Sequence, residues 1–234
     1  MAQTGKTLNF CGLFRRSALS EVTALEQMVE QQVRAWDVLD ERVLATLRQV
    51  PRESFVPALQ RFRAYVDAEV PLPEGQHMLR PSVVGRLLQA LEPGPGMRVL
   101  EVGTGSGFVA ACLRAAGARV RSLEIYGALA DLAARNLAAF GMSDVEVVNA
   151  DALNADGGER YDAIAVTGSL PLYDGRFERQ LAIGGRLFVV VGEAPVMEAR
   201  LVRRISESAW ATDSLFETVI DPLVNAPRPA RFSF

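Results

Sequence analysis

Three glycines and three acids pose the first chemical question in this sequence. In "VLEVGTGSGF", Gly103, Gly105 and Gly107 follow a β-rich run, with Thr104 between the first two, and the helical "FVAACLRAAG" comes next. Glycines at a strand-to-helix turn let the backbone bend sharply and approach a ligand without Cβ clashes. Glu101 stands just before the first of them, where a carboxylate repels a pyrophosphate and favours a cationic ligand. Glu124 closes "RVRSLEI" about twenty residues past the glycines, the spacing from which a carboxylate accepts hydrogen bonds from both ribose hydroxyls. Asp151 closes the third such run, "VEVVNAD", placed to accept from an adenine amino group while Ile125 and Ala152 flank the ring. The set points to an adenosine cofactor. Gly105, Gly107 and Ala110 also satisfy the G-x-G-x-x-A dinucleotide fingerprint, so a nicotinamide or flavin cofactor stays open on these residues alone.

The chain's single histidine, His77, lies in "EGQHMLRP", ahead of the glycine turn. A phenol, hydroxyl or amine substrate that must lose a proton to react would need a base, and His77 is the one histidine available for that. A carboxylate substrate, with an ordinary pKa of about 4, is already ionised and needs no base. The two cysteines, Cys11 and Cys112, are too few and too isolated for a disulfide framework or a zinc site. No set of carboxylates beyond Asp151 suits magnesium, so no metal is expected, and the thiols fit a reducing cytoplasm.

Positioning these residues falls to a chain of 234 residues, 49% hydrophobic, with 25 basic and 28 acidic side chains interspersed. No basic stripe suggests a nucleic-acid partner, and no apolar run is long enough to span a membrane. The first twenty residues carry Arg15 and Arg16 but no apolar stretch of signal-peptide length, and read as a flexible extension, residues 1–20. Residues 21–92 read as a helical cap, all helix and loop. "EVTALEQMVEQQVRAW" has apolar residues on one face, "DERVLATLRQV" is capped by Asp40, and "PSVVGRLLQAL" opens on Pro81. From residue 93 to 234, β-rich runs alternate with helical segments, which predicts an α/β domain with a parallel sheet and helices on both faces. "EARLVRRISES" and "SLFETVIDPL" predict an antiparallel hairpin at the sheet edge.

Glu-x-Gly-x-Gly-x-Gly followed by Glu124 and Asp151 resembles the S-adenosylmethionine site of class I methyltransferases. From about Met28 to Leu223 the chain resembles the protein-L-isoaspartate O-methyltransferase family in particular. The matches are "RVLATLRQVPRESFVP", "AYVDAEVPLPEGQ", "RVLEVGTGSGF", "YDAIAVTGSLP", "LAIGGRLFVVVG" and "TVIDPL". The resemblance implies a Rossmann-like seven-stranded mixed sheet of order 3-2-1-4-5-7-6, strand seven antiparallel, with the helical cap over the cofactor. It implies S-adenosylmethionine as cofactor, with Glu101, Gly103, Thr104, Gly105 and Gly107 at the methionine end. Glu124 would take the ribose, and Ile125, Asp151 and Ala152 the adenine. The loop 74–81 would be the acceptor loop, with Gln76 and His77 as its catalytic candidates. The implied reaction is carboxyl O-methylation of isoaspartyl residues in damaged proteins, on a peptide or protein partner, by a cytoplasmic enzyme for which a monomer is favoured.

The family's acceptor loop typically reads Gly-Gln-Thr-Ile-Ser, whereas Gly75, Gln76, His77, Met78 and Leu79 stand here, without either hydroxyl. "VTGSLP" likewise replaces an alanine-rich "VTAAAP". A pocket that has lost a donor discriminates against substrates it no longer pairs. Two other readings therefore stand beside the first: the same cofactor with a different acceptor, or a non-catalytic protein that binds the cofactor.

Overall fold

The structure, a computed structural model, describes residues 24–155 and 158–230. The expected N-terminal extension, with Cys11, Arg15 and Arg16, lies outside the described residues. Residues 24–36 are helical, with wide π-type turns over Met28–Val33 and a tight turn over Arg34–Trp36. Met28, Val29 and Val33 are buried, as the one-sided pattern requires. Helix α1 (Glu41–Gln49) starts where expected, because the Asp40 side chain accepts from the Arg42 amide at 2.8 Å. Helix α2 (Pro81–Leu91) opens on proline, whose missing N–H costs nothing in a first turn. It buries Val83, Val84, Leu87, Leu88 and Leu91.

Between these helices the expectation of helix and loop alone needs a correction. Strands β1 (Val70–Pro71) and β2 (His77–Met78) pair antiparallel, and the Leu72 amide donates to the Gln76 carbonyl at 2.7 Å. Residues 72–76 are thus the tip of a short ladder, which sequence periodicity over two residues cannot signal.

The α/β part contains β3 (Arg98–Val102), α3 (Phe108–Ala115), β4 (Arg119–Glu124), α4 (Gly127–Ala139), β5 (Glu146–Asn149), β6 (Tyr161–Leu170) and β7 (Leu181–Glu193). Strands β3 to β7 run parallel, and β3 and β6 are almost wholly buried apolar runs, as strands covered on both faces must be. β8 (Val196–Arg204) and β9 (Trp210–Glu217) form the expected edge hairpin. The sheet order is β5-β4-β3-β6-β7-β8-β9. Counted from β3 as the first strand, this is a seven-stranded mixed Rossmann-like sheet of order 3-2-1-4-5-6-7, not the 3-2-1-4-5-7-6 that the resemblance implied. The physical reason is the connection. Only Ala194 and Pro195 separate β7 from β8, enough for a hairpin, whereas a parallel return needs a crossover of about a dozen residues or more. The sixth strand therefore folds straight back against the fifth, and the seventh takes the edge.

"VPRESFVP" joins the N-terminal helices to this sheet. Phe55 is 1% exposed, and its ring lies 5.8 Å from that of Phe108 in α3 and 5.6 Å from that of Phe140 after α4. One apolar cluster runs from Met28 through Phe55 to Phe188. Phe55→Ala removes the ring that both helices close on and is expected to lower unfolding stability by about 3–5 kcal/mol. Chemical denaturation measures this; a loss below about 1 kcal/mol would show that the cap packs independently of the ring.

Candidate active site

The carboxyl ends of β3, β4, β5 and β6 meet at one edge, where open α/β sheets place their ligands. Gly103 and Gly105 turn the chain off β3 with φ of 93° and 56°, the left-handed region that glycine tolerates. A Cβ on Gly103 would lie 2.6 Å from the Thr167 hydroxyl oxygen. That hydroxyl donates to the Gly103 carbonyl at 2.6 Å and the Val102 carbonyl at 2.9 Å, so β6 clamps the turn from one side. From the other side, the Gly105 amide donates to Glu124 Oε2 at 2.9 Å, and the Tyr126 amide to Oε1 at 3.1 Å. Two donors leave that carboxylate with spare acceptor sites.

Asp151 is held one loop away. Its Oδ1 accepts from the Leu153 amide at 2.9 Å, and its Oδ2 accepts from the side-chain amides of Asn154 at 2.8 Å and Asn225 at 3.0 Å. Asn225 belongs to the segment after β9, which folds back over the strand ends. Ser169 and Leu223 anchor that segment, the Ser169 amide donating to the Asp221 carbonyl and the Leu223 amide to the Ser169 carbonyl.

These elements border a concave cleft at the strand ends, the kind of place where α/β sheets hold small molecules. Gly103, Gly105, Glu124, Ile125, Asp151 and Ala152 line it from the sheet side, with Gln76 and His77 from the loop and Asp221 and Leu223 from the returning segment. Glu101 and Thr104 do not line this cleft. They face a smaller inner chamber beneath the turn, which shares Gly103, Gly105, His77 and Leu79 with the cleft. Gly107 borders neither space: its φ of 86° is the left-handed region that favours glycine, and a Cβ there would also crowd the Ala133 carbonyl at 3.3 Å and Leu137 at 3.2 Å on α4.

Glu101 is fully buried. The Ser122 hydroxyl donates to its Oε2, Thr104 Oγ1 lies 2.6 Å from Ser122 Oγ, and Oε1 has no partner among the described residues. Burial pushes its carboxyl up to about 8, with the Glu124 charge adding to the rise and the Ser122 hydroxyl and the nearby Ala110 amide easing it.

At the mouth, His77 Nδ1 lies 2.8 Å from Asp221 Oδ2. Glu69 lines the same cleft, its carboxyl raised by burial and then by the Asp221 charge. Leu79, where the family carries a hydroxyl, is 8% exposed and packs into the core. The Gln76 side chain donates to the Glu74 carbonyl at 3.3 Å. Residues that sequence reading missed are Asp221, Glu69 and Thr167. Asp221 lies within the quoted "TVIDPL", but its pairing with His77, 144 residues away, leaves no local signal. Among the described residues no group of acids, histidines and cysteines is placed to hold a metal ion, and no helix is long and apolar enough to cross a membrane.

The protein-family model described as protein-L-isoaspartate(D-aspartate) O-methyltransferase matches residues 23–227. The chain is 44% identical over 210 residues to protein-L-isoaspartate O-methyltransferase 1 of Rhodopseudomonas palustris, covering 88% of this chain and 85% of that one. It is 42% identical over 181 residues to the protein-L-isoaspartate O-methyltransferase of Methanoculleus marisnigri, covering 76% and 82%. Among solved structures, a Plasmodium falciparum chain described as a protein-L-isoaspartate O-methyltransferase in complex with S-adenosyl-L-homocysteine superposes with a TM-score of 0.74 at 19% identity. That match covers 87% of this chain and 98% of the other, and shares the fold.

The buried carboxyl makes a pH prediction. Folded Glu101 keeps its proton to about pH 8, whereas the unfolded side chain loses it around 4.5, so folding takes up a proton between these values. Its contribution to stability is complete below that window and is lost as pH rises through it, by up to about 1.4 kcal/mol per pH unit. Glu101→Gln, which cannot ionise, is expected to remove this decline. Chemical unfolding of both proteins at pH 5 and pH 8 measures it, and equal slopes would contradict the assignment.

Proposed function

The chain belongs to the protein-L-isoaspartate(D-aspartate) O-methyltransferase family, and from that membership we propose that it is an S-adenosylmethionine-dependent carboxyl O-methyltransferase acting on isoaspartyl residues of damaged proteins. The observation that carries this reading is the cleft in which the glycine turn, Glu124 and Asp151 converge beside the acceptor loop. The nicotinamide or flavin cofactor left open by Gly105, Gly107 and Ala110 is dropped with the family assignment.

The residues present fit the cofactor. The glycine turn offers a floor without Cβ atoms, Glu124 has unused acceptor sites for a ribose diol, and Asp151 with Ile125 and Ala152 lines the place for adenine. Glu101, Gly103, Thr104 and Gly105 surround the chamber assigned to the methionine end, where Glu101 has a buried oxygen without a partner. Gly107 serves that end indirectly, by seating α3 on α4. When bound, S-adenosylmethionine supplies an electrophilic methyl group on a sulfonium.

The chain's own work is alignment and dehydration. An acceptor carboxylate reaching the loop is already ionised, so no residue has to remove a proton. Gln76 and His77 border the approach. Asp221 Oδ2 sits 2.8 Å from His77 Nδ1 and orients the ring, which borders the cleft where an acceptor carboxylate would lie and stands beside the buried Leu79 that replaces the family hydroxyl. Holding carboxylate and methyl in line and excluding water lowers the barrier without general acid–base chemistry. The neighbouring Glu69 and Asp221 carboxylates would repel an acceptor that His77 does not pair, which makes His77 a specificity residue.

This reading extends to a cap over 21–92 and a cofactor domain over 93–234, a peptide or protein substrate rather than nucleic acid, and a cytoplasmic setting that suits the free, buried Cys112. The absent loop hydroxyl supports one second reading, the same cofactor with a different carboxylate acceptor.

Labelled methyl transfer to an isoaspartyl peptide, but not to its aspartyl twin, is the expected result, and transfer to neither peptide would sink the assignment. His77→Ala should raise KM for the isoaspartyl peptide about tenfold while leaving the Kd for S-adenosylhomocysteine unchanged, the loss of one hydrogen bond to the acceptor. An unchanged KM would remove His77 from acceptor recognition.

A further inference from the structure

Arg52, in "VPRESFVP", is an unexplained charge. It is 0% exposed, and none of its three guanidinium nitrogens has a hydrogen-bond partner among the described residues. The Phe108 ring lies 5.2 Å from its guanidinium carbon, and Asp67 and Cys112 are its titratable neighbours. Asp67 is engaged elsewhere, accepting from the Ser82 amide at 2.9 Å and hydroxyl at 2.8 Å. Leaving the donors of a buried cation unpaired is costly, and burial pulls this guanidinium down to about 10, so it keeps its proton at neutral pH.

Arg52 lines the inner chamber, and so does Glu101, whose Oε1 also lacks a partner. The chamber therefore presents one cationic and one carboxyl wall, both buried and both with unused hydrogen-bonding capacity. The ligand that matches two such walls carries a carboxylate and an ammonium on one short scaffold, an α-amino acid. A guanidinium fork pairs a carboxylate with two parallel hydrogen bonds, and a carboxyl group takes the ammonium. The chamber joins the cleft at Gly103 and Gly105, and Asp151 and Ala152 line the cleft but not the chamber. An acceptor peptide brings a carboxylate and neutral amide donors but no ammonium, so it matches the Glu101 wall less well than an α-amino acid does.

We propose that Arg52 is the carboxylate anchor of an inner subsite for the amino-acid end of the cofactor. This rests on the cofactor reading above and adds to it a residue from the N-terminal cap, so that the cap contributes to the cofactor site as well as to the acceptor loop. Phe108 holds the guanidinium in place when the subsite is empty.

Calorimetry on the full chain tests this with two probes: S-adenosylhomocysteine, and its decarboxylated counterpart, which keeps the adenosine, thioether and amine. Wild type should bind the carboxylated probe at least tenfold more tightly. Arg52→Met should bring that ratio close to one and leave the ligand-free protein at least as resistant to heat, since it removes a buried unpaired charge. Arg52→Lys, which keeps the charge but not the fork, should retain part of the preference and serves if the methionine variant fails to fold. A ratio unchanged in a folded Arg52 variant would overturn the proposal, and so would an unchanged ratio with a raised KM for an isoaspartyl peptide, which would make Arg52 a substrate residue. Wild type binding both probes equally would overturn the anchor and leave the cofactor reading standing. Wild type binding neither would overturn both.

Discussion

The bond from the Gly105 amide to the Glu124 carboxylate, 2.9 Å long, is the interaction on which the rest of the site depends. It joins the turn after one strand to the end of its neighbour, and it forms only because β3 and β4 pair in register as far as Val102 and Leu123. The Gly103 amide continues that ladder onto the Leu123 carbonyl at 2.8 Å, and Asn149 ties in the next strand through the Glu124 carbonyl at 2.8 Å and the Ile125 carbonyl at 3.0 Å. Three strand ends are thereby fixed at one level, with backbone amides holding Glu124 and backbone and asparagine side-chain amides together holding Asp151.

Beneath this turn the protein departs from the ordinary rules of burial. A carboxyl and a guanidinium, Glu101 and Arg52, are sealed in the interior with polar atoms unpaired, beside apolar residues such as Phe108 and Val84. The apolar cluster that Phe55 builds with Phe108 and Phe140 offsets that cost, and it also seats the cap on the sheet. Local rules broken inside a well-packed frame are the mark of a functional site. The acidic mouth, with Glu69 and Asp221 around His77, gathers charged groups at the same cleft.

Much of this was legible in the sequence because it is local. Alternating strands and helices, the glycine turn, the Asp40 cap and the acids at strand ends each depend on residues near one another in the chain, and the structure brings Glu124, Asp151 and the loop residues to one cleft. The order of the last strands was misjudged because a family pattern was set above the two-residue link at Ala194 and Pro195, which permits only a hairpin. Glu101 and Gly107 were legible as motif residues but not in their surroundings, since burial and helix packing are properties of the folded chain. The His77–Asp221 pair and the unpaired Arg52 were beyond reach, because both are defined by contacts, or their absence, between distant segments.

The central claim is that the cleft at Glu124 is the cofactor site. Calorimetric titration of wild type and Glu124→Gln with S-adenosylhomocysteine tests it most directly. The account predicts clear binding to wild type and binding weaker by about tenfold or more in the variant, the loss of charge-assisted hydrogen bonds to a ribose diol. Equal affinity in the two proteins would contradict it, as would a wild type that binds nicotinamide dinucleotide and not S-adenosylhomocysteine.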